Sequence, residues 1–369
     1  MEIFKDLKVL ELASVLAGPS VGQFFAELGA DVIKVENPRG GDVTRSWKGV
    51  GELTDDRSAY FCSVNWGKKS VALDLSTPDG KAYIQKIIPE TDVVIASYKP
   101  GDAEKLGVDY ASLTRLNAKL IYGTISGYGT DNPRVGYDAV IQAEAGFMYM
   151  NGEAKGPSLK MPVALIDVLA GHQLKEGLLL ALLNRERTGK GDFVQVSLLQ
   201  TAVSSLVNQA TNYLVAGSIP QKHGSEHPNI APYGDTFQTL DGQEIILAVG
   251  NDKQFQELCA LLGIQQVSAA EHFKTNAQRV INRSELNILL QEAFIKFQSE
   301  DLLPKIHFAK IPAGIIQNLE QVFQLDEAKQ LVLEGEGLKG VRTYAAKHSS
   351  VSVAKTLTLP PVLGSTRVK

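Results

Sequence analysis

Residues Val9 to Glu36 read VLELASVLAGPSVGQFFAELGADVIKVE, and this stretch decides the fold. A β-branched and leucine-rich run at Lys8–Leu12 leads into a turn carrying Gly18 and Pro19, a helical stretch from Val21 to Leu28, and a second strand from Asp31 to Val35. Strand, helix and strand in this order form a unit that joins two parallel strands by a right-handed crossover. Glu36 at the end invites a dinucleotide site, but the turn reads Ala17-Gly18-Pro19-Ser20-Val21-Gly22. It lacks the G-x-G-x-x-G spacing that lets backbone approach a pyrophosphate. A plain crossover unit is expected instead, with Gly18 and Pro19 opening a helix whose first N–H groups remain available to a phosphate or a reacting carbonyl oxygen.

Working outward, the alternation continues. Ser70–Leu75, Asp92–Ser97, Leu120–Ser126 and Phe193–Ser197 read as strands, and Gly80–Ile88 reads as a helix. A long helix is expected from Val168 to Arg187, stopped by Thr188-Gly189-Lys190-Gly191, and another from Leu198 to Val215. The fold class is therefore α/β: a Rossmann-like large domain with a parallel sheet over residues 1–216. Residues 217–233, GSIPQKHGSEHPNIAPY, read as an exposed linker. A smaller α+β domain follows over 234–324, with a strand at Glu244–Val249 and helices at Lys253–Leu262 and Glu285–Phe297. The tail, 325–369, has a helix-like Asp326–Glu334, a strand-like Gly340–Tyr344 and a Pro360-Pro361 pair near its end.

Composition narrows the function. The net charge is −4, from 37 basic and 41 acidic residues interspersed along 369, so no basic face points to nucleic acid. No run approaches the roughly 18 apolar residues of a membrane span. Cys62 and Cys259 are far apart, which argues against both a disulfide framework and a zinc site. The acidic N-terminus does not read as a secretory signal, and a cytoplasmic location is expected.

One carboxylate stands out. In MPVALIDVLAG, Met161 to Gly171, Asp167 sits in an apolar run leading into the long helix. A buried carboxylate either finds partners or holds its proton. Asp167 therefore reads as a helix N-cap or as a reacting group, and the stretch alone does not choose.

Several stretches together resemble the class III CoA-transferase family, of formyl-CoA transferase and L-carnitine CoA-transferase type. They are Leu10–Arg45, NWGKKSVALDL at Asn65–Leu75, SYKPGDAEKLG at Ser97–Gly107, GYDAVIQAEAG at Gly136–Gly146, ALIDVLAG at Ala164–Gly171 and RERTGKGDFVQVSL at Arg185–Leu198. HPNIAPYGDTF at His227–Phe237, DGQEIILAVGNDKQF at Asp241–Phe255 and IPAGII at Ile311–Ile316 complete them in the family's order. The resemblance implies an interlocked, ring-like homodimer whose tail returns to the large domain. It implies CoA esters as substrates with no permanently bound cofactor and no metal, and Asp167 as the nucleophile that carries the acyl group and then CoA. Leu16, Ala17, Gly18, Tyr137, Asp138 and Gly224 would line the active site, the backbone of Leu16 to Gly18 or around Gly224 serving a developing oxyanion. Arg39, Lys68, Lys69, Ser97, Tyr98, Lys99 and Lys105 would contact CoA.

The chain departs from the family's pattern at Trp66, where Arg is common, at Ser97, where Asn is common, and at Lys105, where some members have Arg. It ends PPVLGSTRVK, with Ser365 in place of Glu, which is expected to loosen the tail. Two alternatives accompany the transferase reading. One is an α-methylacyl-CoA racemase of the same fold, which would need a proton-transfer group such as His172. The other is a CoA-ester-binding subunit without chemistry.

Overall fold

In the computed structural model, which describes residues 2–367, six strands form one fully parallel sheet: β1 (Lys8–Leu12), β2 (Asp31–Glu36), β3 (Lys68–Ala72), β4 (Val93–Ala96), β5 (Ile121–Ser126) and β6 (Asp192–Ser197). Their spatial order is β3-β2-β1-β4-β5-β6. The chain thus winds outward from β1 in one direction, then from β4 in the other, and the loops after these two strands diverge to leave a crevice at their carboxyl ends. Side chains alternate across the sheet. Val9, Val32, Ile95 and Ile121 join one core with Phe24, Phe25, Leu174 and Leu178, while Leu10, Leu12, Val94 and Tyr122 join the other with Ile84 and Leu113.

Of helices α1 (Ala17–Glu27), α2 (Pro78–Ile87), α3 (Asp138–Glu144), α4 (Leu165–Thr188) and α5 (Leu198–Ser204), all but α2, which packs in the second core, bear on the site. Helix α1 begins one turn before the apolar periodicity does, because Pro19 lies in the first turn, where its missing N–H costs nothing. Gly189 ends α4 in the left-handed conformation. The helix expected over Leu198–Val215 is broken: α5 stops at Ser204, and a separate helix spans Asn208–Ala216. The Ser204 and Ser205 hydroxyls both donate to the Thr201 carbonyl, at 2.9 and 2.8 Å, and Val207 takes φ 46°. Serine hydroxyls competing for helix carbonyls weaken the following turn.

The chain divides into two compact units, one of residues 1–147, 160–219 and 327–369, the other of 148–159 and 220–326. Residues 148–159 fall in the second unit, where the Lys222 ammonium donates to the Gly156 carbonyl at 2.6 Å and the Gly224 N–H to the Gly152 carbonyl at 3.0 Å. Most of the stretch read as a linker is pinned there as well, since Arg283 donates to the carbonyls of His227 and Ile230. This unit holds an antiparallel sheet of β7 (Tyr233–Gln238), β8 (Glu244–Ala248) and β9 (Ala313–Ile315) against helices that include Asp252–Leu261 and Arg283–Phe294.

The tail differs from its helical expectation. Only Asp326–Lys329 is helical; Val332–Gly335 and Leu338–Val341 pair as a hairpin, β10 and β11. Its two-residue turn has positive φ at both Glu336 and Gly337, 48° and 81°, the geometry that matches strand twist. Beyond it the chain is held rather than loosened: Gly67 N–H donates to Thr358 at 2.9 Å, Arg45 to the Pro361 carbonyl at 3.0 Å, and Thr366 N–H to Ser70 at 2.9 Å, covering the β3 edge. Trp66, whose place in the family is commonly an Arg, is buried under Gly340 of β11, so it packs the tail.

Candidate active site

A cleft of about 230 Å³ opens at the carboxyl ends of β1, β4 and β5, and Asp167 lines it together with Leu16, Ala17, Gly18, Ser97, Tyr98, Lys99 and Tyr137. Each is placed there by a local cause. Asp167 is the third residue of α4 and does not cap it: the N-cap is Ala164, which makes no side-chain bond. The cap comes from outside. Asp138, opening α3, accepts from the Ile166 N–H at 2.7 Å and the Asp167 N–H at 3.2 Å. Its other oxygen accepts from Gln142 at 2.6 Å, and Gln142 in turn accepts from the Met161 N–H at 2.8 Å. One carboxylate thus fixes the start of α4 and frees the next from that duty.

The Asp167 carboxylate has no hydrogen-bond donor among the described residues. Burial, then the negative charge of Asp138, raises its pKa from 3.8 to about 7. Helix α4 approaches α1 closely at Gly171, where a Cβ would lie 2.5 Å from Ser20 Oγ and 3.2 Å from the Ala17 carbonyl. That contact sets the N-terminus of α1 in the wall of Asp167's cleft. The N–H groups of Ala17 and Gly18 make no hydrogen bond among the described residues, and α1 has no acidic side chain in its first turn.

Beneath the loop after β1 lies a network of buried charges. Lys34 pairs with Glu11 and Asp42, both at 2.9 Å, and Lys68 pairs with Glu11 at 2.7 Å. Arg45 pairs with Glu36 at 2.7 Å and with Asp56 at 3.1 Å. Asp42 also accepts from the Val15 N–H at 3.2 Å, and Val15 sits at φ 72°. A β-branched residue in the left-handed region is strained. The buried carboxylate holds it so that the chain turns sharply from β1 into α1.

This network corrects one expectation outright. Lys68 is 2% exposed, and its ammonium, besides Glu11, donates to the Pro19 carbonyl at 2.8 Å and Asn65 at 2.9 Å. It braces α1 and has no donor left for a phosphate. Lys69, exposed, reaches Asp31 at 2.7 Å at the amino end of the sheet, the wrong end for the crevice. Lys105 pairs with Asp102 at 2.9 Å outside the cleft. Arg39 is exposed on the loop whose Asn37 and Gly41 line a second cleft, of about 300 Å³, which shares Ser14, Ser97 and Tyr98 with the first. Ser97 Oγ accepts from the Ser14 N–H at 3.1 Å, tying the two diverging loops together. Tyr137 is 60% exposed at the start of α3. His172 is exposed and lines no cleft with Asp167; Gly224 belongs to the second unit.

A family model described as CoA-transferase family III matches residues 4–364. The chain belongs to this family. The succinate–glutarate CoA-transferase of Agrobacterium fabrum (strain C58) is 40% identical over 351 residues, covering 91% of this chain and 87% of its own. A human succinyl-CoA:glutarate CoA-transferase is 34% identical over 369 residues, 98% of this chain and 83% of its own. A CAIB/BAIF family protein from Brucella suis superposes with a TM-score of 0.89 at 39% identity, covering 97% and 95% of the two chains.

The chain is therefore a CoA-transferase, and two further residues near the cleft had escaped the sequence reading. Arg134 lines the cleft with Asp167. The Tyr60 hydroxyl is held protonated by burial and then by the charges of Asp167, Asp138 and Asp42. Neither lies in a patterned run that would have singled it out.

Proposed function

We propose that this family III CoA-transferase moves CoA from an acyl-CoA to a free carboxylic acid through covalent intermediates on Asp167. The observation that carries the reading is a carboxylate without donors, its pKa raised to about 7, beside the unpaired N–H groups of a helix N-terminus in one cleft. Poor solvation makes the ionised form reactive, and the helix start suits the charge that develops as it attacks.

Asp167 attacks the thioester carbonyl, the C–S bond breaks, and CoA leaves as thiolate, giving a mixed anhydride between Asp167 and the donor acid. Thiolate attacks the Asp167 carbonyl carbon of that anhydride, releasing the donor acid and leaving an aspartyl-CoA thioester. The acceptor carboxylate attacks this thioester, expelling thiolate and forming a second anhydride. Thiolate then takes the acceptor acyl group, and Asp167 is free again. Each step exchanges one acyl bond for another, so no water or redox partner enters. The Ala17 and Gly18 N–H groups are the donors for the tetrahedral oxyanions, and Tyr98, Lys99 and Arg39 are the CoA contacts along the two clefts. Tyr137 and Ser97 border the acyl end.

The protein is proposed to work as the interlocked homodimer of its family. Supporting this, Leu180 on α4 and Leu214 and Val215 on the helix Asn208–Ala216 are 68%, 76% and 83% exposed, apolar side chains of a kind that a partner covers. Sedimentation at micromolar concentration tests it, and a monomeric mass refutes it. The catalytic reading is tested by incubating the protein with acyl-CoAs, adding hydroxylamine and mapping the modified peptide. An acyl-CoA-dependent hydroxamate on Asp167 supports the mechanism; bound acyl-CoA with no mark on Asp167 refutes it.

A further inference from the structure

Arg134 is held in a way that the reaction steps alone do not require. Its guanidinium carbon lies 4.2 Å from the centroid of the Tyr128 ring, and Nη2 donates to Glu144 Oε1 at 2.5 Å. The Tyr128 hydroxyl donates to the other oxygen of the same carboxylate at 2.8 Å. Ring, carboxylate and guanidinium close a loop of three contacts that fixes the guanidinium plane, although the arginine side chain is 57% exposed. Only one of its N–H donors is taken: Nε and Nη1 make no hydrogen bond among the described residues. The residue lines the same cleft as Asp167 and Tyr137. A stacked, oriented fork with free donors suits a planar carboxylate, which it can hold by two parallel bonds.

We propose that Arg134 is a specificity determinant that receives the free carboxylate of a dicarboxylic acid while the acid's other end is joined to CoA or to Asp167. This rests on the reading of Asp167 as the acyl carrier. Among the described residues the one other cation lining the cleft is Lys99, on the loop after β4. A substrate with one ionised end and one reacting end is thus met by Arg134 at the first and Asp167 at the second. Glu144 partly neutralises Arg134, so the guest carboxylate works against an existing pair, and removing that charge strengthens its hold.

The test separates binding from chemistry. Calorimetry on full-length protein carrying Asp167→Asn, which cannot accept the acyl group, compares glutaryl-CoA with pentanoyl-CoA, ligands of equal chain length that differ in the terminal carboxylate. Arg134→Gln is expected to cut the affinity ratio of the two at least tenfold, Arg134→Lys to restore part of it, and Glu144→Gln to raise it. Equal loss for both ligands makes Arg134 a CoA contact or a loop latch and overturns the proposal, as does an unchanged ratio. Hydroxylamine trapping on the Asp167 form judges the acyl-carrier reading separately, since failure there leaves the binding ratio readable.

Discussion

The strongest quantitative consequence concerns Asp167 and the stability of the first unit. The unfolded chain titrates this carboxyl near its ordinary 3.8, while the fold holds it near about 7. Between those values the native state keeps a proton that the unfolded state has lost, so stability falls as pH rises through the window. From 3.8 to about 7 the ceiling on that loss is about 4 kcal/mol, at about 1.4 kcal/mol per pH unit. Solvent reaching the half-buried group through the cleft reduces it to about 2–4 kcal/mol. Asp167→Asn keeps the shape and removes the titration. The variant is therefore expected to gain stability over the parent as pH rises from 4 to 8, by that amount. Urea unfolding followed by tryptophan fluorescence reads the right unit, because Trp47 and Trp66 both lie in it. The difference between the two proteins cancels every other titrating group that the substitution leaves alone. Parallel stability–pH curves would show that Asp167 ionises normally, and the argument for a poorly solvated nucleophile would fall with them.

Asp138→Asn removes the second cause of the raised Asp167 pKa, so the acid limb of kcat/KM, expected near pH 7 in the parent, moves to lower pH. Asp138→Ala in addition leaves the Ile166 and Asp167 N–H groups without their acceptor and is expected to cost about 1–2 kcal/mol, read by denaturant titration. Gly171→Ala drives a Cβ to 2.5 Å from Ser20 Oγ; the start of α4 shifts off α1, with about 1–3 kcal/mol lost and kcat reduced more than KM. Lys68→Met is expected to destabilise by about 3–5 kcal/mol while the KM for acyl-CoA stays within error, since its ammonium serves Glu11 and not CoA; a KM effect without destabilisation would reverse that assignment.

Much of this architecture was legible because the sheet is buried on both faces. Strand β1 falls on the residues its apolar run marks, and β2, β4, β5 and β6 lie within a residue of theirs. The buried charges were not read, because they sit inside otherwise apolar strands, and Lys68 was expected at CoA instead. Glu11 and Lys34 stand opposite each other in register, and Lys34 faces Ser70 on β3. In the fold these three polar residues face one another across neighbouring strands, from β1 to the β3 edge, and form a network rather than a solvated face. What could not be read were contacts between distant segments. Asp138 caps a helix 28 residues on, residues 148–159 join the second unit through partners beyond residue 220, and a run of helix formers at Asp326–Glu334 yields to hairpin pairing with β11. Local propensity carries no information about such partners.

The candidate site combines these two kinds of order. The divergence of loops at β1 and β4 follows from strand order alone and would produce a crevice in any doubly wound sheet. What makes this crevice reactive is the placement of charge around it. Glu11, Lys34, Asp42 and Lys68 are mutually paired, so they supply rigidity without lending Asp167 a counter-ion, and Asp42 holds Val15 in its strained turn. Asp138 spends its oxygens on backbone N–H groups, that of Asp167 included, and on Gln142, and offers the Asp167 carboxylate only repulsion. Positive potential reaches Asp167 from fixed dipoles: it lies in the first turn of α4, and the N-terminus of α1 lines the same cleft. Such a setting destabilises the resting carboxylate and favours the oxyanion formed when it attacks, which is the differential that catalysis requires. A cation brought into the cleft at an exposed lining position, for instance by Tyr137→Lys, would lower the Asp167 pKa and stabilise the resting state. It is therefore expected to extend ionisation to lower pH while reducing kcat.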